Sequence, residues 1–225
     1  MKSKDRKYNI VIDHIKEMLK RKELGIGDKL PPERILAQNL EVSRATVSEA
    51  IKIMEIIGLI KCTQGGGNYI HQNLEKIFNN PLSSIYLMSD TFEMEILEFR
   101  RMIEVQAIEV CIEKITHEEI MELEGVHRRL QESQDEEELA KLDKKFHYLI
   151  AKSSKNPFVV AIFNSISNLL EDSIKTSRKK VVNKYGKSTI EVKHQEILDA
   201  IKAKDKSRAK QAISDHLMDV EASIK

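Results

Sequence analysis

Four side chains that can bind a metal interrupt the apolar stripes of three predicted helices in the second half of the chain. Asp143 and His147 lie four residues apart, hence on one helix face, and His194 and His216 each fall in an apolar row of a later helix. Taken alone, each histidine is more typical of a core residue with a hydrogen-bond partner. Together they are costly to bury unless a shared cation satisfies them. Three imidazole nitrogens and one carboxylate oxygen suit zinc, with nickel, manganese or iron as alternatives.

Arg100 is a further polar side chain in an apolar row. The other members of that predicted inward stripe are Ile96, Phe99, Ile103 and Ala107. A buried arginine requires an anion, because an unpaired charge in a protein core is costly. Glu104, one helical turn further on, is one available partner, and a bound acid is the other. The residues alone leave both partners open.

Composition places these residues in a soluble, two-domain protein. A length of 225 residues is enough for two ordinary domains. No apolar run approaches the roughly 20 residues of a membrane span, and residues 1–13 lack an apolar signal segment. We therefore expect a cytoplasmic protein without a membrane partner. Two distant cysteines, Cys62 and Cys111, offer no disulfide framework, and we interpret both as reduced and structural.

Helical periodicity without strand signals runs through the second half of the chain. It predicts an antiparallel six-helix bundle over residues 90–225, because the connections between helices are short. The predicted helices are 91–114, 116–133, 136–153, 157–178, 188–203 and 206–223. A capping box begins at Thr116. Before the bundle, irregular periodicity interrupted by Pro81 predicts a linker over residues 74–89, either irregular throughout or with one short helix.

Residues 1–73 predict a winged helix-turn-helix, so the fold class is mainly α. Helices are expected at 8–22 and 33–40, and Ser43 should cap a third helix. Its expected buried face is Val47, Ala50, Ile51, Met54 and Ile57, and its opposite face is Arg44, Ser48 and Lys52. Strands at 59–63 and 68–71 flank a glycine run that can form the hairpin tip of a wing. This domain has 13 Lys and Arg against 9 Asp and Glu, which favours nucleic-acid binding.

The N-terminal domain resembles the GntR family of regulators over residues 8–71. The resemblance rests on GDKLPPERILA at 27–37, VSRATV at 42–47, EAI at 49–51, GLI at 58–60 and GGGNYI at 65–70. It implies a DNA-binding site, with major-groove and phosphate contacts from the third helix and a wing tip at the minor groove. The implied site residues are Arg34, Ser43, Arg44, Thr46, Ser48, Gln64 and Gly65. Ser48 replaces an arginine that many relatives have, and Pro32 replaces a small polar residue, so the operator sequence of relatives does not transfer.

The C-terminal domain resembles the FCD-type ligand-binding domain of the FadR-like branch of that family. The resemblance covers residues 90–222 and rests on EFRRMIE at 98–104, LDKKFH at 142–147, SKNP at 154–157, and the two later histidines. It implies that a carboxylate effector completes the coordination of a metal and pairs with Arg100. The implied metal ligands are Asp143, His147, His194 and His216. Six helices instead of seven are typical of the shorter, metal-binding subgroup.

These features predict a regulator that binds a palindromic DNA operator as a homodimer and responds to a small organic acid. We expect it to act as a repressor rather than an enzyme. One alternative is a metal-dependent hydrolase, although we find no carboxylate placed as a general base, as in a His-Glu-x-x-His motif. The other alternative is a DNA-binding protein with a purely structural metal.

Overall fold

The fold is mainly helical, as predicted, and divides into two compact units. The computed structural model describes residues 7–86, 92–171, 176, 180 and 187–224. The units comprise Met1–Asn80 and Pro81–Lys225. Within the described part of the chain, no helix combines the length and the apolar character that crossing a membrane requires.

The first unit is a three-helix domain followed by a hairpin. Its elements are α1 (Lys7–Lys20), α2 (Glu33–Asn39), α3 (Arg44–Ile56), β1 (Ile60–Thr63) and β2 (Gly67–Ile70). A single apolar core joins them, and its fully buried members are Val11, Ile15, Val47, Ala50 and Met54. The helix-turn-helix arises because this core fixes α3 against both α1 and α2.

The start of α3 is as predicted, but Ile57, after its end, is not buried as expected. Ser43 caps the helix, because its hydroxyl accepts a hydrogen bond from the backbone N–H of Thr46 at 3.1 Å. Ile57, expected on the buried face, is instead 41% exposed. The helix ends at Ile56, and Gly58 follows at a positive φ of 81°. Ile57 therefore leaves the helical repeat, so the spacing that placed it inward no longer applies.

The hairpin forms the predicted wing. Thr63 pairs with Gly67 at its tip and Ile60 with Ile70 at its base. Gly67 has a φ of 108°, a backbone conformation that other residues rarely adopt, so this position favours glycine. Lys29 belongs to a loop that pairs with the outer edge of β2, where Leu30 donates from its backbone N–H to the Asn68 carbonyl at 2.8 Å.

Helix α4 (Leu74–Tyr86) occupies most of the segment predicted to be a linker, and Pro81 lies inside it. Proline lacks the N–H that would bond the carbonyl four residues earlier, so we expected it to interrupt the helix. Apolar residues recur at helical spacing through the segment, at Leu74, Ile77, Phe78 and Leu82. The helix therefore continues past the proline.

After α4, the second unit consists of helices that pack against one another. They are α5 (Phe92–Lys114), α6 (His117–Glu132), α7 (Glu136–Ser153), α8 (Pro157–Leu169), α9 (Lys187–Lys202) and α10 (Lys206–Ile224). Helix α5 packs against α7, α8 and α10, and α9 packs against α6 and α10. The predicted helix 157–178 extends beyond α8, and most of its last residues, 172–178, lie outside the described residues. The bundle thus surrounds its core with α5, α7, α9 and α10, the four helices that carry the polar residues singled out above.

We predict that removing the cap of α6 destabilises the second unit measurably. Thr116 and Glu119 form the predicted capping box, since the Thr116 hydroxyl accepts from the Glu119 N–H and the Glu119 carboxylate accepts from the Thr116 N–H. Thr116→Ala should lower the free energy of unfolding by about 1 kcal/mol. Urea denaturation measures this, with Ser207→Ala, an exposed position on α10, as the control. Equal midpoints for the two variants would contradict the prediction.

Candidate functional site

The four candidate metal ligands come from three helices of the second unit. Asp143 and His147 lie on α7, His194 on α9 and His216 on α10. All four are buried, and each is flanked on its own helix by core side chains. Phe146 fills the space beside them, with its ring 4.7 Å from that of His194. Ordinary apolar packing therefore holds the four polar groups in place.

The structure brings these four side chains together into one buried cluster. One donor atom from each residue lies within 4.8 Å of the donor atoms of the other three. His147 Nε2 lies 3.1 Å from His216 Nε2, and His194 Nε2 lies 3.4 Å from Asp143 Oδ1. The spacing on the three helices thus produces the convergence that the sequence predicted.

The donor set and its spacing fit a divalent cation. Tetrahedral zinc with N and O ligands near 2.0–2.1 Å separates those ligand atoms by about 3.3–3.4 Å, close to the two distances above. Burial lowers the pKa of His216 to about 3, with the nearby His147 acting in the same direction. His216 is therefore neutral at physiological pH, which is the form that binds a metal.

Arg100 is buried, and its anion in the structure is Glu104. Arg100 Nε donates to Glu104 Oε1 at 2.5 Å, and both side chains are at most 3% exposed. Burial favours the neutral carboxyl group, but Arg100 and then His147 outweigh it and lower the pKa of Glu104. Of the two partners that the sequence left open, the structure shows the intramolecular one. Phe99, expected beside Arg100 on the inward stripe, is 40% exposed, because the helix turns it away from the core.

Glu104 also contacts the cluster, which the sequence analysis did not foresee. Its second oxygen, Oε2, lies 2.5 Å from His147 Nδ1. The spacing from Arg100 indicated an ion pair within α5, but a contact to α7 depends on how the two helices pack. No signal in the sequence reports that packing.

His127 is a further buried histidine, which we did not single out from the sequence. It lies in the middle of α6, is 3% exposed, and its Nε2 is 2.9 Å from Gln195 Oε1. Its ring centroid lies 6.4 Å from that of Phe146. The row Leu123, Val126 and Leu130 on the same helix is also buried. The spacing of this row would have placed His127 inward.

The cysteines take no part in the cluster. Cys62 is exposed on β1 and Cys111 is buried in α5, and both are free thiols. Burial, followed by a hydrogen bond with Glu55, raises the pKa of Cys62 to about 11. Burial raises the pKa of Cys111 to about 12. Neither thiol is ionised at neutral pH, so neither is in the form that binds metals.

The predicted DNA-binding residues of the first unit lie on its surface or close to it. Arg34 on α2, Arg44 at the start of α3, and the wing-tip residues Gln64 and Gly65 are exposed. Thr46 and Ser48 are half-buried. The Thr46 hydroxyl is 2.8 Å from that of exposed Ser43, so these two side chains stabilise the helix start.

A winged helix-turn-helix joined to a helical domain with a buried polar cluster defines a DNA-binding transcription regulator. Comparison with known proteins identifies its family. Residues 7–70 match the family described as "Bacterial regulatory proteins, gntR family", and residues 95–219 match the FCD domain. The chain belongs to the GntR family and carries an FCD domain.

Individual relatives agree with this assignment along nearly the whole chain. The chain is 29% identical to the HTH-type transcriptional regulator LutR of Bacillus subtilis (strain 168), covering 91% of this chain and 94% of that protein. It is 32% identical to YcbG, an uncharacterised HTH-type transcriptional regulator of the same organism, covering 95% and 88%. A solved structure, Streptococcus agalactiae GntR, is 25% identical, covers 97% of this chain and 100% of its own, and superposes with a TM-score of 0.71.

We predict that the buried Arg100–Glu104 pair matters more for stability than an exposed pair of similar length. Arg100→Met leaves a buried carboxylate without its arginine and should lower the free energy of unfolding by about 3–5 kcal/mol. The control is Arg129→Met, which removes a 2.6 Å pair with Glu138 whose side chains are 60% and 40% exposed. That loss should be small, because water already solvates both groups. If urea denaturation showed similar losses in the free energy of unfolding for the two variants, burial would not determine how much an ion pair matters for stability.

Proposed function

We propose that this regulator is a repressor whose affinity for DNA is controlled by a small carboxylic acid bound beside a divalent metal ion. The metal would be held by Asp143, His147, His194 and His216. The acid would bind next to that metal and pair with Arg100. Zinc suits the ligands best, and nickel, manganese and iron are the alternatives.

The observation that carries this proposal is the buried cluster of three histidines and one aspartate. Four ionisable groups at this depth are costly without a compensating cation. A divalent cation bound there would supply a positive charge to which a carboxylate oxygen can bind. The protein side chains around the metal would then select and orient the acid.

Arg100 is the side chain best suited to recognising the acid. It lies on α5, one helical turn from Glu104, which contacts the metal-ligand candidate His147. A guanidinium has five N–H donors, so the bond from its Nε to Glu104 does not by itself exhaust its capacity to pair with an acid.

Control of DNA binding would operate through a homodimer on a palindromic operator. A single head of this size makes few phosphate contacts and binds weakly at physiological salt, whereas two heads read two half-sites. An acid that binds the two states of the dimer unequally changes operator affinity by the coupling free energy, typically about 1–3 kcal/mol. The acid should weaken operator binding if the protein is a repressor that the acid relieves.

We predict that Arg44→Ala weakens operator binding and relaxes base preference at one position in each half-site. Arg44 is exposed at the start of α3, where an arginine can donate two hydrogen bonds to guanine. The loss should be about 1–3 kcal/mol. Mobility shifts on single-base operator variants measure it, and the complex should contain two chains per palindrome. The control is Arg21→Ala, an exposed arginine just after α1. Unchanged affinity and preference for the Arg44 variant would refute the assignment.

We predict that one variant loses both metal binding and the response to acid, whereas a second keeps the metal and binds acids more weakly. The purified wild type should contain about one divalent metal per chain. His194→Ala should lose both metal and acid response, because it removes a ligand. Arg100→Met should keep the metal and bind acids more weakly, because arginine is not a ligand. Elemental analysis measures the first property, and thermal shift with a panel of monocarboxylic, hydroxy and dicarboxylic acids measures the second, with and without chelator.

Two outcomes of that experiment would exclude the proposal. A metal-free wild type that still binds its acid tightly would show that the cluster consists of ordinary core residues. A metal-loaded protein whose operator affinity no acid changes would favour the alternative of a purely structural metal. Turnover of ester or amide substrates would instead favour the hydrolase alternative.

A further inference from the structure

Glu104 is a buried carboxylate that bridges two parts of the site. Its Oε1 accepts from Arg100 Nε and its Oε2 lies against His147 Nδ1, each at 2.5 Å. It is 1% exposed. Both oxygens are therefore engaged by side chains of α5 and α7, and Glu104 lies outside the group of four whose donor atoms converge.

The contact determines which nitrogen of His147 carries a proton. An ionised carboxylate only accepts hydrogen bonds, so Nδ1 must be the N–H that donates to Glu104. The buried guanidinium of Arg100, which can only donate, binds the other oxygen of this carboxylate, so Glu104 acts as an acceptor on that side as well. In the neutral ring, the lone pair then lies on Nε2, the atom that faces His216 at 3.1 Å. Carboxylates that accept from the far nitrogen of a ligating histidine orient that ring and raise its basicity.

We infer that Glu104 is a positioning residue that fixes His147 as the Nδ1–H tautomer, directing Nε2 into the cluster, and connects it to Arg100. The inference rests on the proposed function for its metal and acid. It goes further than that function by assigning a role to Glu104, the carboxylate between Arg100 and His147. Because one carboxylate binds both Arg100 and His147, an acid that moves Arg100 would also change the orientation of the His147 ring. Metal affinity and acid affinity are then coupled through the protein, in addition to any direct contact between acid and metal.

The test removes the carboxylate without leaving a buried charge. Glu104→Met alone would leave Arg100 unpaired and could unfold the chain, so the variants compared are Arg100→Met and the double variant Arg100→Met/Glu104→Met. The double variant replaces the ion pair by apolar side chains of similar size. Glu109→Met is the control, because Glu109 lies on the same helix in a partly exposed pair with Lys210 at 2.8 Å.

Zinc affinity is measured by competition with a chelator on the full-length chain. The double variant should bind Zn²⁺ about 10- to 100-fold more weakly than Arg100→Met, as for other lost carboxylate partners of metal-bound histidines. Glu109→Met should match the wild type. Equal zinc affinities for Arg100→Met and the double variant would overturn the inference, since Glu104 would then be only a counterion for Arg100.

A second readout needs no metal and therefore separates the two proposals. Nitrogen-15 NMR of the histidine rings, on chelator-treated protein, reports the tautomer of each ring. His147 should be the Nδ1–H form in the wild type and in Glu109→Met, and should lose that preference in the double variant. If the wild type binds none of zinc, nickel, manganese and iron but shows this tautomer pattern, the proposed function fails and the role of Glu104 stands. An Nε2–H wild-type ring would overturn the role of Glu104 whatever the zinc result.

Discussion

The free-energy cost of placing ionisable groups in an apolar interior determines how the polar side chains of the helical domain are paired. Arg100, Glu104, His147 and His216 form a continuous series of buried contacts. In this series each polar group compensates the next, because an isolated charge at this depth would be strongly destabilising. The series begins with a permanently charged guanidinium and ends in a neutral imidazole whose pKa is lowered by burial. Under the proposed function, the acid would bind at the Arg100 end of this series and the metal at the histidine end.

Helix packing maintains this arrangement, because the groups of the series lie on three helices, α5, α7 and α10, and His194 lies on a fourth, α9. Fully buried apolar residues on α5, α7, α9 and α10 include Ile108, Phe146, Ile197 and Ile213. Interiors packed at this density do not deform continuously, so a displaced polar group must shift a whole helix. Under the proposed function, this packing would also carry a change at the site to the surrounding helices.

Sequence patterns predicted the members of this site better than their contacts. The four candidate ligands were recognisable because each interrupts an apolar stripe, and a stripe reports which side chains face inward. It does not report which inward side chains on different helices meet, so the bond between Glu104 and His147 was missed. An apolar stripe also predicts burial wrongly where a helix ends, as at Ile57, and at the edge of the stripe itself, as at Phe99. The irregular segment around Pro81 proved helical, because apolar spacing outweighed a single missing hydrogen bond.

The hairpin of the first unit is tied to both helices of the helix-turn-helix. Asn68 on β2 donates to Glu33 in the first turn of α2, and Glu55 on α3 accepts from the backbone of Cys62 on β1. These bonds and the shared apolar core hold the hairpin against the helices of the first unit. Under the proposed function, they would fix the distance between the wing and the third helix, and with it the length of DNA that one unit contacts.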